Sequence, residues 1–183
     1  MAVRLPDPPL RPFRAEDAAA IVRHADDREV WRFLRDRFPR PYTARDAEEW
    51  LKLVRNDSPP LNFAIEEEGE AVGGIGLIPG NDVDRVSAEV GYWLGRAVWG
   101  RGLATRAVTS FTAWAFATYE FTRLFATPFA FNLASARVLE KSGWRREGVL
   151  RSAVVKEGRI ADLLVYGITR EEAGGPPWAA RPA

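Results

Sequence analysis

Residues Glu89 to Arg106 read EVGYWLGRAVWGRGLATR, and the rest of the 183-residue chain is organised around them. Apolar side chains alternate at Val86, Ala88, Val90, Tyr92 and Leu94, the two-residue period of a strand with one buried face. The pattern breaks at Gly95. A glycine-rich turn, Trp99-Gly100-Arg101-Gly102-Leu103-Ala104, then runs straight into a helical pattern. A strand feeding a glycine turn that opens a helix suits phosphate, because glycine lets the backbone approach closely and first-turn N–H groups have no partner inside the helix. Arg101 and Thr105 can add a charge and a hydroxyl to those amides. An ordinary tight strand–helix turn has the same pattern, so the turn by itself leaves both readings open.

Two familiar phosphate signatures fail here. A Walker loop needs lysine followed by Ser or Thr after its glycines, and this turn has no lysine. The other glycine cluster, Gly73-Gly74-Ile75-Gly76, has Pro79 where a dinucleotide fingerprint needs its third glycine, and its surroundings read as strand.

Composition narrows the chemistry further. The length suits one well-cored domain, expected to span residues 1–183 with its core at about 10–170. Apolar residues at 46% and seven tryptophans predict a packed protein. A formal charge of +1 gives no reason to expect nucleic-acid or membrane binding driven by bulk charge. The chain has no cysteine, which removes disulfides, thiolate metal sites and a covalent cysteine intermediate. Its one histidine, His24, sits in a charged helical stretch and reads as a surface residue, so no metal site and no Ser-His-Asp triad is expected. No apolar run resembles a signal or a membrane span, which predicts a cytoplasmic protein.

Along the chain, residues 1–8 are Pro-rich and expected to fray. Leu10 to Arg14 reads as a strand, followed by helices through Ala18–Val22 and Glu29–Leu34, a charged Pro-punctuated loop over residues 35–41, and a helix capped by Thr43 with Trp50, Leu51 and Val54 on one face. Leu61–Ile65 and Ala71–Ile78 read as strands around the acidic turn Glu66-Glu67-Glu68-Gly69, taken as a solvated hairpin end. After the central turn, Leu103, Ala107, Phe111, Trp114 and Ala115 mark the buried face of a long helix. Phe121–Phe129 reads as a strand, and Asn132 caps a short helix with Leu133, Val138 and Leu139 inward and Gly143 at its end. Val149–Val155 and Ile160–Ile168 form a hairpin around Glu157-Gly158, and Gly174-Gly175-Pro176-Pro177 is expected to be loose.

This order and three of its segments resemble the GNAT-type N-acetyltransferases. The turn is similar to their pyrophosphate loop, Gln/Arg-x-x-Gly-x-Gly/Ala, with Gly102 and Ala104 at the small positions and Trp99 where the general signature has Gln or Arg. GYWLGRAVWGRGLATRAV resembles the branch containing ribosomal-protein N-terminal acetyltransferases, in which an aromatic residue is common at that place. FNLASARVLEKSGWRREGVLR resembles the family's Asn-x-x-Ser segment, and ADLLVYGIT its closing strand. The resemblance covers roughly residues 10–170. It implies an α/β (α+β) fold, a single domain built on a mixed, mostly antiparallel, splayed sheet flanked by helices. It also implies acetyl-CoA as acetyl donor and an amine as acceptor, either a peptide N-terminus or a small amine, and it makes a homodimer an expectation.

On this resemblance the backbone of Trp93 and Leu94 pairs with the pantetheine arm, and the Leu94 amide donates to the oxyanion. Gly100, Arg101, Gly102, Leu103, Ala104 and Thr105 hold pyrophosphate, Asn132 touches the pantetheine, Ser135 acts near the sulfur, and Arg137 can meet a CoA phosphate. Glu89 is the candidate base: a carboxylate in an otherwise apolar strand, which alternation also places on a wetter face with Ser87, Gly91 and Trp93. Tyr166 is the alternative acid to Ser135, which lies one helical turn from Asn132. Asn132 is explained by capping alone, and capping is compatible with cofactor contact. The acceptor is expected to be shaped by the first two helices and the loop Arg35 to Tyr42.

Overall fold

The computed structural model describes residues 5–175, so Pro176-Pro177 of the expected tail lies outside the described residues. Among the described residues, eight strands form one sheet in the order β1-β2-β3-β4-β5-β6-β8-β7. They are β1 (Leu5–Pro6), β2 (Pro9–Pro12), β3 (Asn62–Glu67), β4 (Glu70–Pro79), β5 (Ser87–Leu94), β6 (Arg123–Ala126), β7 (Arg145–Lys156) and β8 (Arg159–Thr169). Every neighbouring pair is antiparallel except β5–β6. Parallel neighbours need a crossover, and α4 (Leu103–Thr118) supplies it.

Strand alternation decides which helix covers which face. Phe63 and Ile65 of β3 join Ile75, Val90, Leu103, Ala107 and Phe111 in the main core beneath α4. Ala64 points the other way, into a smaller core with Phe13, Ile21 of α1 (Ala18–Ala25) and Ala47 and Leu51 of α3 (Ala44–Val54). On α4, Val108, Thr112 and Phe116 are buried beside the expected residues, while Trp114 is only partly covered.

Local signals act where the sequence placed them. Thr43 caps α3 in a reciprocal capping box with Asp46. Asn132 accepts from the Ser135 N–H at 3.1 Å and caps α5 (Leu133–Lys141). Gly143 ends it at φ 83°. Glu157 and Gly158, both at positive φ, turn the β7–β8 hairpin.

Five expectations need correction. Residues 5–8 are held: Leu5 pairs with Leu10, Pro8 is fully buried, and Ser110 donates to the Asp7 carbonyl. The acidic turn is not simply solvated, because Glu66 is buried against Arg11 and Glu67 pairs with Arg101 at 2.9 Å. β6 has four residues instead of nine, since the chain leaves the β5 edge after them and Phe129 makes only a lone bridge to Leu163. Leu133 stands 61% exposed at the first position of α5, whose inward face is Ala136 and Leu139. Gly175 is tied by its N–H to the Arg170 carbonyl at 2.8 Å, and Arg170 itself is buried, donating to the carbonyls of Phe116, Tyr119 and Phe121.

The β2–β3 end of the sheet is fixed by charge. Arg11, almost wholly buried, donates to both Asp17 oxygens at 2.7 and 2.8 Å and to Glu66. Asp17 also accepts from the Arg14 N–H at 2.8 Å. Removing the cation leaves two carboxylates out of water without their counter-ion, so Arg11→Leu should cost about 3–5 kcal/mol. Urea unfolding followed by circular dichroism measures it; an unchanged midpoint would mean that the network contributes nothing net.

Candidate functional site

The parallel pairing of β5 and β6 lasts three residues, from Ser87 opposite Arg123 to Glu89 opposite Phe125. Beyond Glu89 the strands part. β5 stays on β4 as far as Leu94 opposite Gly73, while the chain after β6 follows β8, with Leu164 donating to the Pro128 carbonyl and Ala130 to that of Asp162. The sheet therefore opens into a wedge with one bare β5 edge.

Register decides which backbone groups face that wedge. The Gly95 N–H donates to the Val72 carbonyl at 2.8 Å, so Gly95 faces β4. By two-residue alternation Trp93 also faces β4, and Tyr92 and Leu94 face the opening. The expected pairing of both Trp93 and Leu94 with a donor thus reduces, on the β5 backbone, to Leu94 with Tyr92. Trp93 instead offers its ring to the cavity. The Leu94 carbonyl already accepts from the Trp99 indole N–H at 2.8 Å, while the Leu94 N–H is directed at the opening.

The glycine turn sits past the end of β5. Gly100 and Gly102 have φ of 75° and 73°, in the left-handed region that glycine occupies without strain, and a Cβ added at Gly100 would meet nothing within 4 Å. Gly102 caps α4 without a side-chain bond, and the first amide bonded within that helix is that of Arg106 to the Gly102 carbonyl. Among the described residues no backbone carbonyl meets the N–H groups of residues 100–105. Successive unpaired amides at a helix N-terminus are groups that can meet an anion. The Arg101 guanidinium, more than half exposed, pairs with Glu67 at 2.9 Å. Arg137 lies on α5 and is exposed.

A cavity of about 570 Å³ lies at the wedge, lined by Glu89, Tyr92, Trp93, Asn132 and Ser135. Its far wall is the segment after α2 (Arg28–Trp31), including Arg35, Arg37, Phe38 and Tyr42, together with Trp50 of α3. Glu89 is 28% exposed and accepts from the Thr127 hydroxyl at 2.6 Å. Arg35 reaches across, 2.7 Å from that hydroxyl and 3.6 Å from the Glu89 carboxylate. Ser135 and Tyr92 share a hydroxyl–hydroxyl bond at 2.7 Å, and burial pushes the Tyr92 phenol above its ordinary range. Tyr166 is turned away: its hydroxyl donates to Glu140 at 2.7 Å, and burial, then that bond, raise its pKa to about 12. His24 is only 13% exposed, packed under Gly95 and bonded to Glu70 at 2.7 Å, so it is neither a surface residue nor part of the cavity lining.

Sequence patterns do not single out Tyr92 and Thr127 as members of the site, and they give Arg35 only as the first residue of the loop expected to shape the acceptor. Alternation alone makes Tyr92 an inward apolar residue, although a buried tyrosine hydroxyl needs a partner. Thr127 carries no local signal, and nothing local points Arg35 at Glu89. They reach Glu89 across 38 and 54 residues of chain, and only the fold brings them there.

No helix among the described residues is long and apolar enough to cross a membrane. In comparisons with known proteins, an N-acetyltransferase of Bacillus licheniformis, p20, itself uncharacterized, is 28% identical over 174 residues, covering 91% of this chain and 94% of its own. The Mycobacterium smegmatis RimJ structure, in complex with CoA-disulfide, is 28% identical with a TM-score of 0.77, covering 94% of this chain and 87% of that one. RimL, a ribosomal L7/L12 α-N-protein acetyltransferase in complex with coenzyme A, is 15% identical, covers 88% of this chain and 93% of that one, and shares the fold with a TM-score of 0.78. The model of the GNAT acetyltransferase domain matches residues 9–145, three-quarters of the chain. With that match over most of its length, the chain belongs to the GNAT family of N-acetyltransferases.

Proposed function

We propose that this chain moves the acetyl group of acetyl-CoA directly to the α-amino group of a peptide or protein N-terminus. The observation that carries the reading is the wedge between β5 and β6, which gathers a bare backbone edge, a carboxylate and a hydroxyl pair along one opening. Bound acetyl-CoA supplies an activated acyl group, and the chain's own residues supply the rest. The amides of residues 100–105 take pyrophosphate, and the β5 edge at Tyr92 and Leu94 takes the pantetheine arm. The Leu94 N–H, on a residue whose carbonyl is anchored by the Trp99 indole, donates to the oxyanion. Glu89, held by Thr127, accepts the amine's proton directly or through water, and the Ser135–Tyr92 pair returns a proton to the leaving thiolate. Asn132 spends its side-chain oxygen on the cap and keeps its amide for the donor.

The acceptor follows from proton affinity. An α-amine, with a pKa of about 7.7–8.0, is substantially neutral near neutral pH, whereas a lysine amine at about 10.4 needs roughly 3–4 kcal/mol more to deprotonate. A single carboxylate paired with an arginine suits the easier proton. The resemblance to RimJ and RimL points the same way.

Three results test this reading. Gly102→Val should weaken coenzyme A binding about tenfold or more, roughly 1.4 kcal/mol. The β-branched side chain introduced there both strains φ 73° and crowds the cradle, so calorimetry is paired with a thermal melt; a folded variant with unchanged affinity moves the pyrophosphate elsewhere. Glu89→Gln and Ser135→Ala should each lower turnover by about 10²-fold with coenzyme A binding nearly preserved. Normal turnover across pH removes the substituted residue from the mechanism. Mass spectrometry of a peptide with a free N-terminus and an internal lysine should find the acetyl group on the N-terminus at pH 7.5, and predominant lysine acetylation overturns the acceptor assignment.

A further inference from the structure

The cavity wall carries more than the transfer chemistry requires. Phe38 and Tyr42 lie 4.7 Å apart between ring centres, Phe38 stands edge-on to Trp93 at 5.8 Å, and Trp50 is held edge-on by Phe13 at 4.5 Å. The cavity-lining rings come from the loop after α2, from α3 and from β5, and they meet at one opening. β4 makes room for them with a glycine: a Cβ at Gly74 would fall 3.0 Å from the Trp93 indole nitrogen and 3.1 Å from the Phe13 ring. Phe38, Trp50 and Trp93 nevertheless remain partly exposed, and Leu53 (74%) and Ile78 (45%) extend the apolar surface at the cavity's edge. Large apolar side chains left in water around a concave site cost free energy that a ligand can recover by covering them. The cavity, at about 570 Å³, has the size of a small-molecule site; the donor arm takes the part lined by Tyr92, Asn132 and Ser135, and the aromatic wall bounds the part left for the acceptor.

We infer that the site selects acceptors in which the amine's neighbouring group is aromatic or large and apolar. On the peptide reading proposed above, on which this inference rests, these are N-termini beginning with Phe, Tyr, Trp or Leu. Rings offer the offset and edge-on geometries that the wall already uses among its own members. A hydroxyl on the ring is poorly rejected by such a wall, so Tyr is accepted with Phe. A first residue of Gly or Ser leaves Trp50 and Trp93 wet and gains nothing from them.

The test is kcat/KM for lysine-free peptides that differ only in their first residue, Phe, Tyr, Leu, Ser or Gly, together with calorimetric binding of the same peptides in the presence of coenzyme A. Phe- and Tyr-first peptides should exceed Ser- and Gly-first ones by about tenfold or more in both measurements. Trp50→Ala should narrow the Phe-to-Ser ratio. Because Trp50 also packs on Phe13, Trp50→Leu serves as a second variant that keeps bulk while losing the ring. Equal values for all first residues, or tighter binding of Ser and Gly, overturn the inference while leaving α-amine acetylation standing. Acetylation of phenethylamine but of no peptide does the opposite: the aromatic selection holds and the peptide assignment fails.

Discussion

The three-residue contact between β5 and β6 is the constraint on which the rest depends. A parallel pair that ran the full length of both strands would satisfy its backbone groups and leave no room between them. Because β6 keeps its partnership with β8 instead, Tyr92 and Leu94 carry polar backbone groups toward a gap in the middle of the sheet. Such groups need partners when buried. The fold meets part of the demand with the Trp99 indole on the Leu94 carbonyl, and the remainder faces the opening where an extended donor arm can act as an added strand. The departure of Trp99 from the general GNAT signature thus has a physical role: its ring nitrogen anchors the residue that the proposed mechanism uses for the oxyanion.

Two kinds of charge pairing hold the elements around the sheet. Arg11, Asp17 and Glu66 are buried together and tie the first strands to the start of α1, so each depends on the others for its solvation. The segment after α2 is held differently. Arg35 reaches Thr127 and Glu89, Asp36 pairs with Lys156 at 2.6 Å, and Arg28 with Glu157 at 2.9 Å. At least one partner in each of these pairs is well exposed, and exposed pairs contribute little on balance. The β5 edge of the cavity rests on the sheet, and the wall opposite rests on lighter contacts.

That division explains where sequence reading succeeded. The alternation through Val90 and Leu94, the glycines at 100 and 102 and the helical spacing after Leu103 are periodicities set by backbone geometry, and each came out at its expected place. Capping by Thr43 and Asn132 is equally local, a side-chain oxygen meeting an amide three residues on. The same local logic failed at Leu133, because helical spacing says which residues share a face but not which residue at a helix start lies beyond the edge of the core.

By itself, the sequence determined the family, the strand–turn–helix with glycines at its left-handed positions, and the presence of one carboxylate in a strand facing away from the main core. Those features are written in neighbours a few residues apart, where covalent geometry and backbone hydrogen bonding decide the outcome. Only the tertiary structure decided that β6 stops after four residues, that Trp93 turns its backbone to β4 and its ring to the cavity, and that Tyr92 meets Ser135. It alone brought Arg35 and Thr127 to Glu89 and gathered the aromatic wall around them. These are contacts between segments tens of residues apart, and they follow from how strands and helices pack, which no local pattern encodes.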